Sequence, residues 1–141
     1  MKFSKESEYG ILGLVALAKQ PPHKVMLLSQ IAKAQGLPQP FLAKTFQKFV
    51  QHGLVRSYRG AVRGYTLARP PQKITLREVI GAVEGPDFLD KCLFWNQRCS
   101  DCNPCLLHSR WEKIKPRLVK LIEGTTIKEL AEEASRRRKG R

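Results

Sequence analysis

Negative charge is missing from a long part of this 141-residue chain, since no Asp or Glu occurs between Tyr9 and Arg77. The same stretch is rich in basic residues, namely Lys19, Lys24, Lys33, Lys44, Lys48, Arg56, Arg59, Arg63, Arg69, Lys73 and Arg77. The whole chain has a formal net charge of +14 and a pI near 10.1. This one-sign field favours an anionic partner, either nucleic acid or a membrane surface.

A long apolar run is also missing, which argues against a membrane partner. The longest run, Ile11 to Ala18, is interrupted by Gly13 and is far too short to cross a bilayer. It resembles the core of a signal peptide, but Glu6 and Glu8 stand where such a peptide needs positive charge. We therefore expect a cytoplasmic protein whose partner is double-stranded DNA. The sequence contains no catalytic Ser, Cys or carboxylate constellation, so we expect neither an enzyme nor a small-molecule substrate.

The first part of the chain predicts a helix-turn-helix. A first helix from Glu8 to Lys19 is stopped by Pro21 and Pro22, and a second covers Leu28 to Gln35 before Gly36. A small residue four positions before that glycine, Ala32, is typical of this motif. The third helix begins at the Pro38-Gln39-Pro40 segment and is closed by Gly53. Its predicted core residues are Phe41, Leu42, Phe46, Phe49 and Val50, and its predicted outward residues are Lys44, Gln47, Lys48 and Gln51.

A β-hairpin and a fourth helix follow. The β-rich runs Leu54 to Tyr58 and Tyr65 to Ala68 are joined by a loop of glycines and arginines, which predicts a protruding wing. A capping box at Thr75 and Glu78, with Ile74 and Val79 as a hydrophobic staple, predicts a helix that runs to about Glu84 and ends at Gly85. The predicted fold is therefore mainly α with a small β-wing, a winged helix-turn-helix.

Candidate DNA contacts follow from that fold. Residues near the start of a recognition helix meet base edges, here Gln39, Ala43 and Lys44, while Lys48 lies a turn further on and is expected to meet phosphate. Arg59 and Arg63 at the wing tip can enter a narrow minor groove. Tyr65 at the base of the wing completes the set of candidates.

All four cysteines of the chain, Cys92, Cys99, Cys102 and Cys105, lie close together, and His108 follows. Clustered thiols without a secretory context favour a metal or redox site. The short spacings lack the long loop between two ligand pairs that structural zinc sites have, and they are more similar to an iron–sulfur loop. We therefore expect an iron–sulfur cluster, of 2Fe–2S or 4Fe–4S type, with a zinc or thiol/disulfide element as the alternative. His108 is equally a ligand candidate or a packed surface residue.

A long helix is predicted after Asn103 and Pro104, with an expected kink at Pro116. Its apolar residues alternate spacings of four and three, which is either the seam of a dimer or a face packed on its own chain: Leu107, Trp111, Ile114, Leu118 and Leu121. Thr126 and Glu129 predict a short last helix, and we expect a disordered basic tail from Arg136 to Arg141. The predicted units are 1–85 for DNA binding, 86–103 for the cysteine loop, 104–124 for dimerisation, and 125–141 for the last helix and tail.

At several of these residues the chain resembles the winged-helix repressors that include the iron–sulfur-cluster regulator IscR and the nitric-oxide-sensing repressor NsrR. The resemblance covers nearly the whole chain and rests on short motifs: Met1 to Ser4 with Tyr9-Gly10, Leu28 to Ala32, Pro40 to Leu42, Gly53 to Val55, Ser57 to Gly60 with Gly64-Tyr65, the trio Cys92, Cys99 and Cys105, and Pro104 to His108.

The resemblance implies a homodimeric bacterial transcription factor in which Cys92, Cys99 and Cys105 hold an iron–sulfur cluster. Among relatives the fourth ligand varies, and the candidates in this chain are Cys102, His108 and the partner subunit's Glu8. Two departures stand out, because Arg63 replaces a glycine that is usual in the wing and Cys102 is extra. Some members of the family lack a cluster, so the effector stays open between nitric oxide, oxygen, and iron or cluster supply.

Overall fold

The computed structural model describes residues 3–90 and 106–139. Its elements in chain order are α1 (Lys5–Ala18), α2 (Leu28–Gln35), α3 (Gln39–Gln51), β1 (Val55–Tyr58), β2 (Gly64–Leu67), α4 (Leu76–Glu84), α5 (His108–Gly124) and α6 (Ile127–Lys139). Short 3-10 turns occupy Pro71–Lys73 and Phe88–Asp90. No helix within these ranges is both long and apolar enough to span a membrane. The predicted class, mainly α with a small β-wing, is confirmed.

Helix α1 begins earlier than the predicted Glu8, because Ser4 caps it. The Ser4 hydroxyl accepts a hydrogen bond from the Ser7 backbone N–H at 3.2 Å. Glu84 at the end of α4 then accepts from the Ser4 N–H at 3.0 Å and from the hydroxyls of Ser4 and Ser7 at 2.5 and 2.7 Å. This contact between distant parts of the chain fixes the first turn of α1 against α4.

The helix-turn-helix is present as predicted. Helix α2 has the predicted bounds, and Gly36 ends it in the left-handed region with φ of 66°. Helix α1 approaches α3 closely, since a Cβ on Gly10 or Gly13 would lie 2.7 Å from the ring of Phe49 or Phe46, respectively. Because these two glycines have no side chain, the rings of Phe49 and Phe46 can pack directly against the backbone of α1.

The core face of α3 differs in part from the prediction. Leu42, Phe46 and Phe49 are fully buried, but Phe41 and Val50 are 43% and 40% exposed, so their assignment to the core was wrong. Thr45 is buried instead. The physical reason is helical geometry: Thr45 lies in the middle of the stripe at i, i+3, i+4 and i+7 that faces α1, whereas Phe41 and Val50 lie at its edges.

The wing is a two-stranded antiparallel sheet whose register runs from Val55 opposite Leu67 to Tyr58 opposite Gly64. Met26 adds an isolated bridge on the other side of β2 through two backbone hydrogen bonds with Tyr65, at 3.0 and 2.8 Å. Gly64 has φ of 136°, and a Cβ there would collide with the Met26 carbonyl. Glycine is thus required where the wing joins the core.

Helix α4 begins at Thr75, whose hydroxyl accepts from the Glu78 N–H, and its C-cap is Gly85, as predicted. Helix α6 packs against α1, and its first residue, Ile127, is fully buried. The expectation of a disordered tail from Arg136 is wrong as far as Lys139, which is helical. Arg136 and Arg137 donate hydrogen bonds to Glu133 one turn earlier, which stabilise the helix and lower the pKa of Glu133.

Helix α5 divides the residues of the predicted dimer seam. Trp111 is 4% exposed and packs in a second core with Ile80, Phe88, Leu89 and Ile122, so for this residue the interpretation as a face packed on its own chain is the correct one and the dimer seam is wrong. Ile114 and Leu121 are 57% and 58% exposed. The helix contains Pro116. The kink expected there stays a prediction, as do the unit boundaries after residues 85, 103 and 124.

Candidate nucleic-acid interface

The outer face of α3 is available for contact. Gln39 and Lys44 are exposed, whereas Ala43 between them is half-buried. Burial of Leu42, Phe46 and Phe49 against α1 sets the rotation of the helix, and the proline-bearing first turn sets its start. The helix therefore presents Gln39 and Lys44 near its N-terminus, the part of a recognition helix that meets bases.

The wing supplies a second group of exposed cations. Arg56 on β1 and Arg59 and Arg63 in the loop are exposed, as is Val62 beside them. Strand β1 packs against α3, so the wing is attached to the predicted recognition helix. Gly60 has φ of 95°, which lets the loop turn tightly enough to place both arginines at the tip.

The cations of α3 and the wing differ from other cations of the acid-free stretch in their ion pairing. Arg69 and Arg77 pair with Glu78 and Glu123, carboxylates contributed by segments outside the acid-free stretch or at its edge. Across residues 3–90 and 106–139, by contrast, no carboxylate pairs with five other cations of α2, α3 and the wing: Lys33, Lys44, Arg56, Arg59 and Arg63. A surface of unpaired cations attracts the phosphates of a duplex.

Lys48 differs from these free cations. Its Nζ lies 2.8 Å from Glu6 Oε1, and its side chain is 32% exposed. The Thr45 hydroxyl also donates to Glu6 Oε1 at 3.2 Å. The carboxylate of α1 thus holds Lys48 close to the surface of the protein. Sequence reasoning missed this pair because Glu6 precedes the acid-free stretch and lies far from Lys48 in the chain.

Tyr65 is placed mainly as an anchor of the wing. Its ring packs edge to face on Phe46, with centroids 5.0 Å apart, and its backbone is paired with Met26. The side chain is half-buried. Its predicted contact with DNA stays a prediction.

The cysteine assignments lie outside the described residues, since Cys92, Cys99, Cys102 and Cys105 all fall within 91–105. Within the part that is described, no group of three or more His, Cys, Asp or Glu side chains is arranged to hold a metal ion. Four thiols are a donor set that suits iron–sulfur ligation and also suits zinc.

The two other ligand candidates have partners in the structure. His108 Nε2 lies 3.2 Å from Glu112 Oε1 on the same helix, and the His108 side chain is 12% exposed. Glu8 accepts a hydrogen bond from Lys5 Nζ at 3.1 Å, and this contact raises the pKa of Lys5. Glu8 is on the surface of α1, with its side chain 53% exposed. Ligation by either residue stays a prediction.

A family model described as "Rrf2: Iron-dependent Transcriptional regulator" matches residues 3–133. A protein of Aquifex aeolicus (strain VF5), provisionally named an HTH-type transcriptional regulator, is 34% identical over 132 residues, which cover 92% of this chain and 91% of that protein.

Two solved structures are similar over nearly the whole chain. CymR of B. subtilis, described as the global cysteine regulator, has a TM-score of 0.79 and 26% identity, and the match covers 94% of this chain and 98% of that chain. IscR of T. potens has a TM-score of 0.73 and 29% identity, with 95% and 88% covered. Both structures therefore share the fold described above over nearly the whole chain.

Proposed function

Because the chain belongs to the Rrf2 family of transcriptional regulators, we propose that it is a homodimeric, sequence-specific repressor whose DNA affinity is set by an iron–sulfur cluster. The family assignment makes the chain a DNA-binding regulator and not an enzyme. The proposal goes beyond the family assignment in four respects: the cluster, the effector, the dimer and repression. The observation that carries DNA binding is the unpaired positive charge on α3 and the wing.

Readout begins at the N-terminal turns of α3. Gln39 can pair bidentately with adenine, and Lys44 can meet the acceptors of guanine in the major groove. Arg59 and Arg63 reach a narrow minor groove from the wing. Lys48 can contact a phosphate only when its ion pair with Glu6 opens, because the Glu6 carboxylate and the phosphate compete for the same ammonium group. Tyr65 supports the wing from the core through its ring and backbone, and we propose that its hydroxyl contacts DNA.

The dimer is proposed to form through the exposed apolar side chains of α5, Ile114 and Leu121. A second copy that covers them removes apolar surface from water. Two recognition helices related by a twofold axis would then meet half-sites about 34 to 36 Å apart on one face of the duplex.

The cluster is proposed to be held by Cys92, Cys99 and Cys105, with Cys102, His108 or the partner subunit's Glu8 as the fourth ligand. When bound, the cluster supplies a centre that responds to redox state, nitric oxide or cluster supply. For His108 to act as the ligand, its Nε2 would have to leave Glu112 or bind through Nδ1. The similarity to IscR supports this assignment, as does the concentration of every cysteine in one segment.

A second candidate keeps the DNA-binding half and makes the cysteines a zinc or thiol/disulfide element. The observation in its favour is the similarity to CymR, which is described as a global cysteine regulator. The two candidates differ in colour and in metal content, because zinc and disulfides give no visible absorption.

Anaerobic purification followed by a visible spectrum and by iron, sulfide and zinc assays separates the candidates. We expect iron and sulfide in the wild type, their loss in Cys99→Ala, and their retention in the matched control Ser100→Ala. Operator binding measured before and after nitric oxide or oxygen should change in the wild type but not in Cys99→Ala. Full iron and sulfide content in Cys99→Ala would contradict the ligand trio, and zinc without iron would favour the second candidate.

A further inference from the structure

A half-open groove of about 1140 Å³ lies on the side of the molecule where α6 meets the end of α1 and the base of the wing. Its walls include the apolar side chains of Leu17, Leu67 and Ala131. Two proline pairs also line it, Pro21-Pro22 and Pro70-Pro71. Prolines restrict the backbone, so the shape of the groove is present without a ligand.

The charge around the groove is mainly positive. The basic lining residues are Lys19, Lys24, Arg69, Lys128 and Arg136, and the acidic one is Glu132. Glu132 lies 4.0 Å from Lys128, and Arg136 pairs with Glu133. Within residues 3–90 and 106–139, no carboxylate pairs with Lys19 or Lys24. These two lysines leave an uncompensated positive charge in the lining of an apolar groove.

Arg69 adds a donor without an acceptor. One of its guanidinium Nη atoms donates to Glu78 and the other to the Lys73 carbonyl at 3.4 Å. Its Nε is enclosed and has no hydrogen-bond partner among the described residues. An enclosed N–H that lacks an acceptor costs free energy, so a shift of the Arg69 side chain that brought this Nε to an anion in the groove would be favoured.

We propose that this groove binds a small amphipathic anion, a carboxylate carried on an apolar chain or ring. The apolar walls bury the body of such a molecule, while Lys19, Lys24 and Arg69 attract its carboxylate. The volume of about 1140 Å³ is somewhat above the roughly 300–1,000 Å³ typical of drug-sized sites, so a small amphipathic molecule fits within it. A duplex backbone has no apolar body to fill the groove, and the proposed cluster and DNA contacts use other residues, so this site is independent of both.

The probe is decanoate, titrated into the purified full-length protein by isothermal calorimetry. We expect saturable binding of one decanoate per chain. Acetate has the charge without the apolar chain, and decanol has the chain without the charge, so each should bind at least about tenfold more weakly. Equal binding of decanol would overturn the anionic part of the proposal, and absence of saturable decanoate binding would overturn the whole.

Two variants locate the site. The double substitution Lys19→Glu and Lys24→Glu reverses the charge at the groove, and Ser135→Trp on the exposed face of α6 fills it sterically. Each should weaken decanoate binding at least about tenfold, whereas Lys33→Glu, an exposed lysine of α2 away from the groove, should not. Unchanged far-UV circular dichroism shows that the variants are folded. Wild-type affinity in both groove variants would overturn the assignment. So would loss of the dimer in Ser135→Trp without decanoate binding to the wild type, since the groove would then be an interface between copies.

Discussion

Helices α3 and α5 both carry an apolar stripe, but they complete it in different ways. In α3, Leu42, Phe46 and Phe49 are fully buried against the same chain, and the opposite face is polar and basic. In α5, Trp111 and Ile122 are buried, but Ile114 and Leu121 remain more than half exposed. A helix that is closed within its own chain can hold a rigid reading surface toward DNA. A helix that is only partly buried retains exposed apolar surface, which the proposed second copy would cover.

The largest effect is expected from Phe46→Ala, which tests the burial of α3 within its own chain. Val50→Ala on the same helix is the control. Loss of the fully buried ring leaves a cavity beside Gly13 and should lower the free energy of unfolding by about 3–5 kcal/mol. Val50 is 40% exposed, so its truncation should cost less than about 1 kcal/mol. Urea unfolding followed by circular dichroism measures both. Equal costs would mean that the two side chains are buried alike.

The second test addresses the open part of α5 through the double substitution Ile114→Glu and Leu121→Glu. Charges at these positions should weaken the dimer at least about 100-fold, or roughly 2.7 kcal/mol, because each would be buried in the interface. Analytical ultracentrifugation measures the change, and Lys120→Glu on an exposed position of the same helix is the control. Trp111→Glu would not serve as this test, because Trp111 is buried in the core of a single chain. A double variant that stays dimeric would place the interface elsewhere.

The reading surface of α3 is tested next, by Gln39→Ala and Lys44→Ala. Each should cost about 1–3 kcal/mol on the operator and little on random DNA, because base contacts exist only on the right sequence. Lys113→Ala on the exposed surface of α5 should leave both affinities nearly unchanged. Fluorescence anisotropy on both DNAs gives the ratio. Were the ratio to stay constant in both α3 variants, α3 would not be the helix that reads bases.

The smallest expected effect comes from Glu6→Gln, which releases Lys48 from its ion pair. The freed ammonium can then meet phosphate, so binding to any duplex should strengthen and the salt dependence should steepen by at most about one unit. Glu129→Gln on α6 adds the same charge away from α3 and is the control. A slope that matches this control would show that Lys48 does not gain a phosphate contact.

The parts predicted correctly from the sequence are those governed by local rules. Gly36 and Gly85 end α2 and α4, and Thr75 begins α4, because caps act within a few residues of the helix end. The pairing of Arg136 and Arg137 with Glu133 also follows a local spacing, at three and four residues. This signal was overlooked, so the prediction of a disordered tail was wrong where α6 continues to Lys139.

The parts that were missed depend on contacts between distant residues. Ser4 and Ser7 are fixed by Glu84, and Lys48 is held by Glu6, so neither contact leaves a periodic pattern in the sequence. Trp111 has a spacing that fits a dimer seam equally well, and only the position of Phe88 and Ile80 decides that it is buried in its own chain. The predicted cluster ligands among the cysteines stay predictions.

The contact between α6 and α1 also affects how the protein is synthesised. Ile127 donates its backbone N–H to Ile74 and is buried in the same core as Leu17. A ribosome that has made only the helix-turn-helix and the wing has therefore not yet supplied one wall of that core. Contacts so distant in the chain form late, and domains made from the N-terminus fold as units. A chain that ends before residue 127 would therefore lack one wall of this core, and we expect it to be less stable than the full-length protein.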